Sequence, residues 1–399
     1  MRAVQLVVLA LGAGLGVFYS FLGVILDDRG FDPGAIGLIF AASAVGFTIA
    51  VPLWGHLADV WLGRPRALIV CGLGAAAATL VLLAPVPPLA IAACVIVFAF
   101  FESAWQPLGD AITINAVPDQ RRDYARIRVL TSISFACGAI LAGQLYDVTG
   151  YWPASVLFSG FAIVMVLAAL RVPDVERADL AAHARTTAPD GAGQTWSFGS
   201  TGVAVRLAPR LVLVMLAAGL VHIGIIGGFT FLPLRLVALG GQPGDVALLA
   251  GLSAGAEIPA MLLAATVAAR IGLRGMFVGS CLIYALCISS WAVVDTTQLL
   301  IATRAVTGIA FAGIVVSVVL TIGTLLPPTL QATGQALFQT IAFGVASIVA
   351  NALGGLVYGS LGHAAFFGLG AACAFVAAVV GLAAVPGRAD PRPAAISAR

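Results

Sequence analysis

Charge is what this sequence most lacks. Asp, Glu, Lys and Arg make up 9% of its 399 residues, against 61% hydrophobic, and mean hydropathy is +1.08. A soluble domain carries roughly a quarter charged residues. No water-facing surface can be made from this inventory, so the chain's solvent is lipid. Lysine is absent altogether, and the net charge of +3 is too small to suggest nucleic acid. Cysteines are few, and Cys71, Cys94, Cys137, Cys281, Cys287 and Cys373 all sit in apolar runs without metal-ligand spacing. They read as small buried side chains. No His, Cys or acid cluster has metal spacing either, so no metal or cofactor is expected. A hydroxyl such as Ser132 or Ser134 has no His or Lys at a recognisable spacing. That absence argues against an intramembrane hydrolase, and the chain is not expected to be an enzyme. A receptor with a soluble signalling domain is disfavoured too, because polar sequence is confined to one short stretch.

What is present is long, continuous apolar sequence. In lipid every backbone polar group must be paired internally, which leaves helices or a closed barrel. The runs lack the alternation of barrel strands, so helices are predicted. Expected spans lie near 3–26, 35–57, 67–87, 89–115, 126–146 and 152–171, then 209–236, 246–268, 275–294, 297–325, 333–357 and 364–385. The run that follows Arg2 has no small-residue cleavage site and reads as a first span rather than a signal peptide. With the N-terminus inside, all arginines except Arg29, Arg235 and Arg304 fall in or beside cytoplasmic segments. The outer turns instead carry Asp27, Asp28, Asp32, Asp147, Asp245 and Asp295. By the positive-inside rule both termini are expected in the cytoplasm, in a multi-pass protein of the cell (inner) membrane.

The chain also repeats itself. A shift of 210 residues pairs Gly14 with Gly224, Phe21 with Phe231, Leu22 with Leu232, Gly30 with Gly240, Pro33 with Pro243 and Ser43 with Ser253. A shift of 212 pairs Gly143 with Gly355, Tyr146 with Tyr358 and Gly150 with Gly362. Ordered matches at nearly one offset, close to half the chain, point to duplicated six-helix halves of the kind alternating-access transporters use. The expected fold is therefore all-α and integral to the membrane, with twelve transmembrane helices in two pseudo-symmetric bundles. The halves are 1–171 and 209–385, joined by a cytoplasmic linker at 172–208 and followed by a cytoplasmic tail at 386–399. A working monomer is expected, since each half needs only the other to form a cavity.

Between the second and third spans runs Gly55-His-Leu-Ala-Asp59-Val-Trp-Leu-Gly63-Arg64-Pro-Arg66. It resembles the signature of the major facilitator superfamily, with one extra residue between Asp59 and Gly63 and with Pro65 splitting the basic pair. The resemblance implies a cytoplasmic gate in which Asp59 and arginine latch and part. At the matching turn of the second half Arg270, Gly272 and Arg274 remain, but Ala269 stands opposite Asp59. Shorter pieces resemble the phenylpropionate-permease-like branch: Pro107-Leu-Gly-Asp110, Tyr124-Ala-Arg126-Ile-Arg128, Glu257-Ile-Pro259, and Leu326-Pro327-Pro328 with Ala332-Thr333-Gly334-Gln335. That likeness implies proton-coupled movement of small organic solutes. The Gly-Pro pattern of drug antiporters is missing between Gly138 and Gly143.

Ionisable groups at membrane depth are costly and so are functional candidates. Glu102, Gln106 and Asp110 recur at steps of four, on one helical face, and Thr113 continues it. Glu102 lies about 20 Å and Glu257 about 16 Å from the outer ends of their helices. Both are candidate proton carriers. Asp110 is expected in a structural ion pair with Arg126 or Arg128. Tyr19, Trp105, Gln106, His222, Arg304, Gln335 and Gln339 are candidates to line the substrate cavity. Arg304 could pair with Glu257 or receive a substrate carboxylate, and the aromatics suit an apolar or aromatic body. His56 and His363 read as interface residues. The expected partners are a small-molecule substrate, protons and the lipid bilayer. The favoured function is proton-coupled symport of an aromatic or other organic acid, with proton-driven efflux of a drug or secondary metabolite as the alternative.

Overall fold

The computed structural model describes residues 1–116, 123–173 and 198–387. Most of the expected linker, with Asp174, Glu176, Arg177, Asp179, Arg185 and Asp190, lies outside the described residues, as does the tail from residue 388. Among the described residues every regular element is helical. In chain order these are α1 (Arg2–Phe18), α2 (Leu22–Asp28), α3 (Pro33–Leu57), α4 (Arg64–Leu80), α5 (Pro88–Glu102), α6 (Trp105–Ala116), α7 (Asp123–Thr149) and α8 (Pro153–Ala169). There follow α9 (Phe198–Leu207), α10 (Arg210–Ala238), α11 (Pro243–Val293), α12 (Thr297–Leu325), α13 (Pro328–Gln339) and α14 (Ala346–Ala384). Prolines open several of them, at the position where a missing N–H removes no hydrogen bond. The Asp32 carboxylate caps α3 by accepting from the Gly34 and Ala35 amides at 2.9 and 3.1 Å.

Among the described residues nine helical segments are long and apolar enough to cross a membrane. Two of them, Pro243–Val293 and Pro328–Ala384, have 51 and 57 residues. A single crossing takes about 20. Each of the two is interrupted at one glycine with non-helical backbone, Gly272 or Gly362. Pro153–Ala169 is a shorter apolar helix.

The internal repeat reappears in the backbone. Positive φ occurs only at glycine among the described residues, and those glycines match across the repeat: Gly30 with Gly240 (+84° and +86°), Gly63 with Gly272 (+80° and +76°), Gly150 with Gly362 (+73° and +83°). Aromatic contacts repeat as well. Phe21 meets Tyr146 at 5.0 Å between ring centroids, and Phe231 meets Tyr358 at 5.3 Å.

Two compact units emerge. The first comprises described residues within Met1–Gly193 together with Pro233–Gly255. At its centre α1 lies against α7 through small residues, because a Cβ on Gly12 or Gly16 would run into the Thr131 or Phe135 carbonyl. Such close backbone approach is how helices associate when lipid removes the hydrophobic drive. The start of α11 joins this unit: the Gly244 amide donates to Asp147 Oδ1 at 2.7 Å, and Gly251 abuts Ile140. The second unit comprises described residues within Gln194–Leu232 and Ala256–Arg399. There Thr230 Oγ1 donates to Asn351 Oδ1 at 2.7 Å and Trp291 Nε1 donates to Thr303 Oγ1 at 2.8 Å.

The interrupting glycines make a testable contrast. Gly272 (φ 76°, ψ 163°) and Gly362 (φ 83°, ψ 172°) occupy a region that is essentially closed to other residues. Open space surrounds the position of a Cβ on Gly362, whereas the Gly387 carbonyl fills it at Gly272. Gly362→Ala is expected to cost about 1–3 kcal/mol of stability, and Gly272→Ala more. Thermal unfolding of the purified variants in detergent checks this; equal losses would show that the Gly387 contact carries no weight.

Candidate functional site

In the first unit the chain breaks its helices where the polar candidates lie. Helix α5 ends at Glu102, and Ser103 and Ala104 interrupt it before α6 opens at Trp105. The Ser103 hydroxyl turns back to the Phe100 carbonyl at 2.8 Å. Similarly, α1 and α2 are separated by a tight 3-10 turn at Tyr19–Phe21. Tyr19 is 49% exposed, and its hydroxyl lies within electrostatic reach of half-buried Glu102. Breaks at depth free backbone groups for ions and solutes, and are tolerated where they are buried in protein or line a cavity.

The stripe beyond Glu102 serves a different end. Gln106 Nε2 donates to Asp110 Oδ1 at 2.8 Å, and Arg128 Nε lies 3.5 Å from the same oxygen. The Arg126 side chain lies outside the described residues. Trp105 is fully buried and stacked on Phe158 at 5.1 Å, so its ring is packing material for α8. Its Nε1–H has no hydrogen-bond partner among the described residues.

At the turn after α3, residues Ala58–Leu62 form a π-helical segment that ends at Gly63, whose amide donates to the Ala58 carbonyl at 2.9 Å. A π turn absorbs one inserted residue. It is here that the sequence carries its extra residue between Asp59 and Gly63. The insertion leaves Asp59 Oδ1 3.4 Å from Arg64 Nε, with the Asp59 side chain 61% exposed. Gly55 is partly buried and Arg66 is exposed.

In the second unit a polar cluster gathers around a buried arginine among apolar helices. Arg304, on α12, is 2% exposed. Its Cζ stands 4.6 Å above the Phe229 ring centroid, and its Nη1 lies 3.5 Å from Thr307 Oγ1. Tyr284, buried on α11, is hydrogen-bonded to Arg304, and both lie within electrostatic reach of Glu257. Glu257 is half-buried on α11, two residues before Pro259. Sequence reasoning named Arg304 and Glu257 but missed Phe229, Tyr284 and Thr307. Thr307 was recoverable, one turn along α12 from Arg304; Tyr284 and Phe229 gave no signal, because they reach Arg304 only through packing.

His222 is fully buried on α10, two turns before Phe229, with the rings of Phe311, Phe338 and Phe343 around it at 6.3, 5.7 and 5.0 Å. Gln335 Nε2 donates to the Val319 carbonyl at 3.3 Å, and Gln339 is exposed at the end of α13. Among the described residues no group of three or more His, Cys, Asp or Glu side chains could hold a metal ion. The chemistry within reach is that of a buried cation with hydroxyl neighbours and an acid beside it.

Comparison with known proteins agrees with this architecture. The MFS_1 like family model matches residues 4–369. The chain is similar to a maltose permease of Geobacillus stearothermophilus, 26% identical over 344 residues, covering 85% of this chain and 83% of that one. Among solved structures it resembles the nucleoside transporter NupG, with a TM-score of 0.80 at 18% identity, covering 96% of this chain and 98% of that one. It also resembles the peptide transporter POT in complex with sulfate, with a TM-score of 0.69 at 15% identity, covering 96% and 93%. At such identities the structural likeness speaks for the fold alone. Matched by the family model over nearly its whole length and all-helical in the described residues, the chain belongs to the MFS_1 like family of major facilitator transporters.

Proposed function

We propose that this transporter is a proton-coupled symporter that carries a small organic solute, an aromatic or other organic acid, inward by alternating access of two six-helix halves. The observation that carries the reading is Arg304: a buried guanidinium with Tyr284 and Thr307 beside it and Glu257 within electrostatic reach. A carboxylate arriving at Arg304 competes with ionised Glu257 for the same cation. Protonating Glu257 removes the competitor, so solute and proton favour each other's binding, and the coupling is reciprocal. Phe229, stacked under the guanidinium, offers an aromatic wall to the solute. The likeness to the phenylpropionate-permease-like branch supports the same substrate class.

Other residues take supporting roles. Glu102, at the α5–α6 break, is a second candidate to carry the proton, with Tyr19 as its neighbour. Asp59 and Arg64 form a cytoplasmic latch that parts when that side opens, with Gly55, Gly63 and Arg66 shaping the turn. Asp110 and Arg128 hold α6 to α7. Gln335 and Gln339 are donors from α13. The reading places twelve crossings in the inner membrane, both termini in the cytoplasm, and a monomer as the working form.

The test is uptake into proteoliposomes of radiolabelled benzoate, phenylpropionate, maltose, uridine and a dipeptide, with and without an acidic exterior. An aromatic acid is expected to accumulate above the level of protein-free vesicles, and only when the outside is more acidic. Accumulation that ignores the gradient, or extrusion driven by it, would overturn symport.

A further inference from the structure

The second unit carries a groove that suits neither water nor a polar solute. It encloses about 490 Å³ and is lined by Val205 of α9, by Val212, Leu216 and Ile223 of α10, and by Ile341 and Val345 of the π-helical segment Thr340–Val345. Every other residue in its lining is apolar or glycine. Val212, Leu216 and Val345 are each half-exposed, so the groove lies open. Purely apolar cavities stay dry, and solute sites carry at least a few placed polar groups. None lines this groove, and hydrocarbon is the occupant that fits.

Its length narrows the choice. From Val212 to Ile223 is eleven residues of helix, about 16 Å at 1.5 Å per residue. One leaflet of a bilayer's hydrocarbon core is about 15 Å thick. The groove therefore matches one acyl chain lying in one leaflet. Gly219 keeps its two walls close, since a Cβ there would stand 3.0 Å from Ile341 Cγ2.

Two arginines mark one end. Arg206 follows Val205 directly, Arg210 lies two residues before Val212, and both are exposed. Consecutive Cα atoms are about 3.8 Å apart, so both side chains start within reach of the groove's mouth. The helices that frame it, α9, α10, α13, the π segment and α14, contain no Asp or Glu. The walls themselves supply no charge to answer that pair of cations.

We infer that the groove binds a phospholipid with an anionic headgroup, one acyl chain lying between α10 and the π segment and the headgroup at Arg206 and Arg210. Lipid tails are as apolar as the groove, so a chain gains no hydrophobic free energy by leaving the bulk bilayer for it. Preference for one lipid over its neighbours comes from the headgroup, to which each arginine contributes about fivefold. The inference rests on the chain's place in the membrane and not on proton coupling.

The experiment places the full chain in phosphatidylcholine nanodiscs doped with a photoactivatable lipid, either phosphatidylglycerol or phosphatidylcholine, that carries its reactive group in mid-chain. Crosslinked residues are read by mass spectrometry. Leu216, Ile341 and Val345 are expected to be labelled more heavily than Leu382, an exposed leucine outside the groove. Phosphatidylglycerol should label them more than about fivefold better than phosphatidylcholine. Arg206→Gln combined with Arg210→Gln should bring phosphatidylglycerol down to the phosphatidylcholine level, with the unfolding midpoint in detergent unchanged because both side chains are exposed. Leu216→Trp, which fills the groove, should remove the labelling of Ile341 and Val345 by either lipid. Equal labelling by the two lipids, or a preference that survives loss of both arginines, would overturn the inference. So would labelling no heavier than at Leu382, which is ordinary bilayer contact, or displacement of the lipid by phenylpropionate, which would make the groove part of the solute's path.

Discussion

Glu257→Gln is expected to abolish gradient-driven accumulation while leaving solute exchange across equilibrated membranes close to that of the unaltered protein. Glutamine copies the size and neutrality of a protonated carboxyl but cannot release a proton. Within the Arg304 cluster it would therefore hold the site permanently in the form that accepts a carboxylate. Exchange needs only that form. Accumulation needs the acid to load on one side and unload on the other. An inward gradient of one pH unit is worth about 1.4 kcal/mol per proton, which sustains about tenfold accumulation. The variant should fall from that ratio to about one. If it accumulates solute fully, Glu257 is not the coupling acid, and Glu102→Gln becomes the variant to measure.

Arg304→Met is expected to cost both stability and binding. The substitution keeps an unbranched apolar stem but removes the cation over Phe229 and the partner of Tyr284 and Thr307. Losing the cation–π contact and the guanidinium's hydrogen bonds to Tyr284 and Thr307 costs about 1–3 kcal/mol, read as a lowered unfolding midpoint. Uptake of organic acids should be lost. Adding Glu257→Gln to Arg304→Met should recover part of the stability, because Glu257 then no longer faces an apolar residue as an anion, but none of the uptake. A double mutant no more stable than Arg304→Met would mean that the two residues do not interact.

The fold was legible because lipid imposes one dominant rule, that backbone polar groups pair within a helix, and apolar runs mark where it applies. The duplication was legible for a sharper reason. Gly30, Gly63 and Gly150 and their counterparts sit at positive φ, which other residues rarely adopt, so these matches mark backbone requirements. The site was legible only in part. A charge in an apolar run announces itself, which is how Glu102, Glu257 and Arg304 came forward. Phe229 and Tyr284 look like any other apolar-run residue, and only packing brings them to Arg304. The breaks at Tyr19–Phe21 and Ser103–Ala104 carry neither proline nor glycine, and so left no local mark. Nor could spacing reveal that Trp105 packs on Phe158 rather than facing a cavity. The extra residue after Asp59 was visible as a departure from the family pattern, and its meaning, a π turn, needed the backbone.

The central claim, that solute and proton move together, is tested most directly by proton flux in proteoliposomes holding a pH-sensitive dye. No gradient is imposed; benzoate, phenylpropionate or another aromatic acid is added outside. Weak-acid leakage is subtracted with protein-free vesicles. The account predicts solute-dependent acidification of the lumen that is lost in Glu257→Gln. Solute entry at the full rate with no proton movement beyond the protein-free control would contradict it, and would make this protein a facilitator whose buried acids serve only to hold helices together.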